Sequence, residues 1–270
     1  MQHPSRDARL RILFLHHSVG RNLIRQGGVR ELVAEQNRRY GTAHEFWDHD
    51  YNDLGLTGPS GERVNRSFDI PDDNTDPVGL DLLFSQPVHT PRDNALSHLL
   101  TFDVVVLKSC FPASAIDSLA QLEKYQQHYL ALREKVSFHP NILFIVMSPP
   151  PLVPRPLMGA LLSPGSRWMW TNQGDADRAR EFSRWLISEE FCGGLPNFAS
   201  FDLFDLLAED AGVKQNRNML RAEYRSGRLG QDAHPNEHAN RLIAPVFVAA
   251  LWESIERFRQ QVLGSLAAIS

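Results

Sequence analysis

Five short runs, residues 11–15, 44–47, 104–107, 142–147 and 198–201, are rich in Val, Ile, Leu and Phe, and most read as continuous apolar stretches. A strand covered on one face alternates apolar with polar residues, whereas a strand that is apolar throughout has to be covered on both. Segments with helical spacing lie between these runs: residues 22–39, 118–137, 175–188 and 237–262. In the second of them Leu119, Leu122, Tyr125, Tyr129 and Leu132 recur every three or four positions. This alternation predicts an α/β chain, a three-layer α/β/α sandwich around a five-stranded parallel sheet with right-handed crossovers. Its functional site belongs at the carboxyl ends of the strands.

Composition narrows the function classes. At 270 residues, 42% of them hydrophobic and 22% charged, the chain can build one large core, and a single domain over residues 1–270 is expected. A formal charge of −4 and a pI near 6.3 supply no basic stripe, so neither nucleic acid nor an anionic membrane surface is favoured as a partner. No apolar stretch approaches the roughly 18 residues of a membrane span. Residues 1–9 are polar, and the apolar run behind them is too short for a signal-peptide core, so a cytoplasmic location is expected. Cys110 and Cys192 form no CxxC pair, which leaves no framework for disulfides or structural zinc. No cofactor is expected, and no pattern encodes an oligomeric state.

Two stretches resist the alternation. Residues 52–93 are dense in Gly, Pro, Asp and Asn and far exceed the usual connection of about 4 to 6 residues, so they read as a functional loop region. Residues 149–171 hold Pro149-Pro150-Pro151, Pro154, Pro156 and Pro164 with Trp168 and Trp170, which predicts a stiff, partly extended flap pinned to the body by its aromatics.

The first apolar run stops at His16-His17-Ser18-Val19-Gly20. A serine between a parallel strand and a helix either caps that helix or stands beside amide N–H groups and a helix dipole able to hold an oxyanion. Gly20 is expected to give the backbone room to turn. Near the other end, Asp232-Ala233-His234-Pro235-Asn236 precedes the last helical segment, which should begin after Pro235. An imidazole with an ordinary pKa near 6.5 suits proton abstraction from a hydroxyl at neutral pH, and a neighbouring carboxylate can orient it. Ser, Asp and His in that chain order are the parts of an acyl-transfer triad. Asp48, His49, Asp50, Asp72, Asp73 and Asp76 are oxygen-rich enough for calcium or magnesium, but match no defined metal-site spacing and read as a polar, turn-rich loop.

Several motifs in this order resemble a family. His16-His17-Ser18-Val19-Gly20-Arg21-Asn22, Phe46-Trp47-Asp48-His49-Asp50-Tyr51-Asn52, Asp73-Asn74-Thr75-Asp76-Pro77, Lys108-Ser109-Cys110-Phe111-Pro112 and the late Asp-x-His-Pro-Asn are similar to an uncharacterised bacterial branch of the SGNH/GDSL hydrolases. The resemblance spans nearly the whole chain and implies flavodoxin-like strand order. It implies Ser18 as nucleophile, His234 as general base and Asp232 as its acid. The chain departs from the common pattern at His17, where an aspartate precedes the serine, and at Gln231, where the acid stands three residues before the histidine. The second block would contribute a glycine amide, with Gly55, Gly58 and Gly61 available. The third holds Lys108 and Ser109 in place of its usual glycine and asparagine. Candidate oxyanion and substrate contacts are therefore Gly58, Lys108, Ser109, Asn74 and His17. The expected activity is hydrolysis of a small acyl ester or of an O-acylated carbohydrate. Two other classes compete: a ligand-binding protein on a decayed hydrolase scaffold, and metal-assisted phosphoester hydrolysis using His16, His17, His49 and His234.

Overall fold

The structure is a computed structural model that describes residues 9–50, 55–64, 76–91, 94–155, 169–227 and 232–267. The first half runs β1 (Arg11–His16), α1 (Ser18–Gly27), α2 (Val29–Tyr40), β2 (Glu45–Asp50), β3 (Gly55–Thr57), α3 (Pro77–Phe84), α4 (Ala95–Leu99) and β4 (Val104–Lys108). The second runs α5 (Leu119–Ser137), β5 (Leu143–Met147), β6 (Val153–Pro154), β7 (Trp170–Thr171), α6 (Gln173–Leu186), α7 (Glu189–Cys192), β8 (Phe198–Phe201), α8 (Leu203–Leu207) and α9 (Glu237–Ala267).

The main sheet has the order β3-β2-β1-β4-β5-β8. Its five expected strands pair in parallel, β2-β1-β4-β5-β8, which is the doubly wound order with β1 beside the switch point. A sixth strand corrects the five-stranded expectation. β3 pairs antiparallel with β2, Asp50 opposite Gly55 and Asp48 opposite Thr57, as a strand returning after a short connection must. Residues 52–93, expected as a loop region, thus contribute a strand and also α3, whose N-cap Asp76 accepts from the Gly79 N–H, with Pro77 in its first turn.

Side chains of the central strands divide by parity, as pleating requires. Ile12, Phe14, Val104, Val106, Ile145 and Met147 join the core beneath α1, α2 and α9. Leu13, Leu15, Val105, Leu107, Phe144 and Val146 join the core beneath α3, α4 and α5. This double covering is why the runs are continuously apolar. Trp170 is buried in the first of these cores, so it pins its segment to the body, while Trp168 and most of the expected flap lie outside the described residues. β6 and β7 pair as a separate two-stranded parallel sheet. Cys110 is buried and Cys192 half-buried, both as free thiols. Among the described residues no helix is long and apolar enough to cross a membrane.

The expected helix over residues 22–39 is two helices. Gly28 adopts φ +71°, closing α1 and opening α2, a conformation that favours glycine. The adjacent Gly27 serves a different purpose. A Cβ there would lie 2.6 Å from the Ala244 Cβ and 2.7 Å from the Asn240 carbonyl oxygen, so α1 and α9 touch almost backbone to backbone. Gly27→Ala is expected to destabilise the fold by about 1 to 3 kcal/mol despite alanine's better helix propensity, measured as a lower chemical-unfolding midpoint.

Candidate active site

β1 delivers His16, His17 and Ser18 to the carboxyl edge of the sheet. His17 is the N-cap of α1 in an extended conformation, its side chain makes no capping bond, and Ser18 is the first helical residue. The serine therefore does not cap. Its Oγ lies 2.8 Å from His234 Nε2, joining positions 216 residues apart in the chain. The first turn of α1 starts its ladder with Arg21 N–H donating to the His17 carbonyl at 2.9 Å, so the amides of Ser18, Val19 and Gly20 precede the first helical bond.

His234 Nδ1 lies 2.5 Å from Asp232 Oδ1, and the same oxygen accepts the His234 backbone N–H at 2.9 Å. A carboxylate only accepts, so Nδ1 carries the ring proton and Nε2 is left to accept from the Ser18 hydroxyl. Burial alone would raise the Asp232 carboxyl, but the ring and backbone N–H groups of His234 outweigh it and hold the carboxyl below the usual range. The two-residue spacing from acid to base is thus a tight turn in which one oxygen satisfies both the loop and the ring. Phe111 packs edge-on against the imidazole, ring centroids 5.1 Å apart at 84°.

The turn is anchored from below. α9 begins at Glu237, after Pro235 as expected, with Asn236 Oδ1 accepting from Ala239 N–H at 3.0 Å and Asn236 Nδ2 donating to the Glu223 carbonyl. Asn240 Nδ2 bonds both the Pro235 carbonyl at 2.9 Å and Gln26 Oε1 at 2.7 Å, tying the histidine loop to α1.

The other expected contacts scatter. Lys108 ends β4 fully buried, with Nζ donating to the Ser109 carbonyl at 3.1 Å. Burial pushes the Lys108 ammonium down against the opposing influence of Cys110. His17 is buried and its pKa falls to about 3, first by desolvation and then by the field of Lys108. Ser109 Oγ turns to Tyr129 OH at 2.7 Å, toward α5. The Gly58 N–H donates to the Glu62 carbonyl and its own carbonyl accepts from Arg30, so its amide is engaged in the turn after β3. Asn74 lies outside the described residues.

One arrangement escaped the sequence reading. Asp48 and Asp50, expected in a polar loop, are instead strand residues buried at the end of β2. Asp48 pairs with His16 and Arg30, and Asp50 with Arg21. Among the described residues no three metal-ligating groups come together as a metal-binding set. Gly20 is likewise helical rather than turned, and a Cβ on it would fall 2.3 Å from the His16 Cβ, so its smallness serves the imidazole beneath the helix.

Fold and site together define an α/β chain carrying a Ser-His-Asp constellation at the carboxyl edge of a mainly parallel sheet. No family model matches the chain, and no curated protein matches it. Among solved structures it is similar to a GDSL-like lipase from Bacteroides thetaiotaomicron, at 11% identity over 95% of this chain and 92% of that one, TM-score 0.47. It is also similar to the N-terminal part of a Bacteroides fragilis protein containing a phosphatase domain complexed with Mg, at 10% identity over 89% of this chain and 50% of that one, TM-score 0.42.

Proposed function

We propose that the chain is a serine hydrolase cleaving a small acyl ester or an O-acyl group, with a carbohydrate as one fitting carrier of that group. The observation that carries this reading is the pair of contacts on one imidazole, 2.8 Å to Ser18 Oγ and 2.5 Å to Asp232 Oδ1. Ser18 Oγ attacks the acyl carbonyl while His234 Nε2 takes its proton, and Asp232 stabilises the imidazolium that forms. The oxyanion is received by the leading amides of α1, beginning with Ser18 N–H, helped by the helix dipole. His234 then returns the proton to the departing alkoxide, and a water deprotonated by the same nitrogen releases the acid. A binding protein on a decayed scaffold would have let serine and histidine drift apart, and the 2.8 Å contact counts against it.

The test is covalent. Incubation with a fluorophosphonate is expected to add one phosphonyl group at Ser18, located by peptide mass spectrometry, and Ser18→Ala is expected to remain unlabelled. A folded wild-type protein that takes up no label while a known serine esterase is labelled alongside would sink the assignment.

A further inference from the structure

We propose that His16, locked to Asp48, is a positioning residue that sets the orientation of the peptide between His17 and Ser18; the catalytic consequence rests on the serine hydrolase reading above. His16 is fully buried at the end of β1, and its two ring nitrogens face two oxygens: Nδ1 the His17 carbonyl at 2.9 Å, Nε2 Asp48 Oδ2 at 3.0 Å. A carbonyl only accepts, so Nδ1 carries a proton, and the contact with Asp48 requires another between ring and carboxylate. Arg30 closes the line by donating to the other Asp48 oxygen while its guanidinium lies over the Phe46 ring. Burial pulls the Asp48 carboxyl upward, but His16 and Arg30 prevail and hold it low.

The bond to His17 matters because of what shares that peptide plane. The His17 carbonyl and the Ser18 N–H belong to one rigid unit and point in opposite directions. The carbonyl receives two donors, the Arg21 N–H from above and His16 Nδ1–H from the sheet. Fixing it fixes the Ser18 N–H, the first donor available to an oxyanion, and a donor on the carbonyl polarises that N–H further. Gly20 completes the fit, since any side chain there would strike the His16 Cβ at 2.3 Å and lift the helix from its support. A histidine that merely filled space would not need its donor aimed at the nucleophile's own peptide.

Two substitutions separate the roles. Asn carries its amide nitrogen where His carries Nδ1, so His16→Asn keeps the donor to the His17 carbonyl; Gln carries its amide further out, so His16→Gln keeps only the contact toward Asp48. With 4-nitrophenyl acetate as probe, His16→Gln is expected to lose about 10- to 100-fold in kcat with KM changed less than twofold, and His16→Asn to stay within about fivefold of wild type. Asp48→Asn, which breaks the charge line with minimal change of shape, should fall between them. Independently of any turnover, hydrogen exchange at the Arg21 amide, bonded to that same carbonyl, should quicken at least about tenfold in His16→Gln and not in His16→Asn. Equal exchange and equal loss in the Asn and Gln variants would overturn the positioning role. A wild type inert to the ester and to fluorophosphonate would defeat the hydrolase reading alone, because the exchange comparison still decides what His16 does.

Discussion

Replacing His234 by alanine is expected to lower kcat for an aryl ester by a factor on the order of 10⁶, and replacing Asp232 by asparagine to lower it by about 10² to 10⁴. The first figure follows from removal of the only base in hydrogen-bond contact with Ser18 Oγ among the described residues. The second is smaller for a geometric reason. Both bonds from His234 end on the same Asp232 oxygen, and an asparagine carbonyl oxygen can occupy that place, keeping the tautomer while losing the charge. Asp232 is also 38% exposed at its side chain, so water screens part of what the charge does for the imidazolium. Steady-state kinetics on both variants, with circular dichroism to confirm folding, would check the ranking. Wild-type turnover in Asp232→Asn beside a dead His234→Ala would mean that the site works as a Ser-His dyad.

Acid should unfold this protein early and steeply. Burial, the first cause in each case, pushes His17 down to about 3, His44 to about 4 and His49 to about 4; Lys108, Arg259 and His16 respectively push further in the same direction. Each imidazole stays neutral in the fold but takes a proton near pH 6.5 once unfolded. Their full contribution to stability is therefore present above pH 6.5 and is lost as the pH falls toward 4. In the middle of that window these three rings make the unfolded chain hold up to three more protons than the folded one, a slope of up to about 4 kcal/mol per pH unit. Asp48 and Asp232, both held low, act in the same direction further down. Against a typical stability of about 5 to 15 kcal/mol, the midpoint of acid unfolding is expected between pH 4 and 6. Urea titrations at half-unit pH steps would measure the slope, and His44→Gln should flatten it by about a third. A flat profile from pH 6.5 to 5 would show that these rings are not buried in neutral form.

How much of this was legible in the sequence depends on how far apart the cooperating residues lie. Strands β1, β4, β5 and β8 were readable because double burial writes an unbroken apolar run. The end of β2 was not, because Asp48, His49 and Asp50 look like a loop until Arg30, His16 and Arg21 are seen to pair with the carboxylates. β3 is three residues long, too short for any periodicity. The split between α1 and α2 did carry a signal, Gly27-Gly28, overlooked because helical spacing continues on both sides. Ser18, Asp232 and His234 were found from their order along the chain. The line from Arg30 through Asp48 to His16 has no local pattern at all, since it joins residues of α2, β2 and β1 that come together only when β1 pairs with β2 and α2 packs beside them.

The close crossing of α1 and α9 works as a gauge on the chemistry. Ser18 begins one of these helices and Gly27 stands nine residues further along it, about 13 Å away. Asn240 and Ala244 lie one and two turns beyond the start of the other helix, just after His234. With acid and base already joined in one turn, the reach from His234 Nε2 to Ser18 Oγ is the only separation in the triad that the rest of the chain must set. That reach is fixed at a fulcrum of bare backbone. A methyl group at Gly27 would tilt the lever at its far end, and a misplacement of about 1 Å there is enough to slow a reaction a hundredfold without touching any reacting atom.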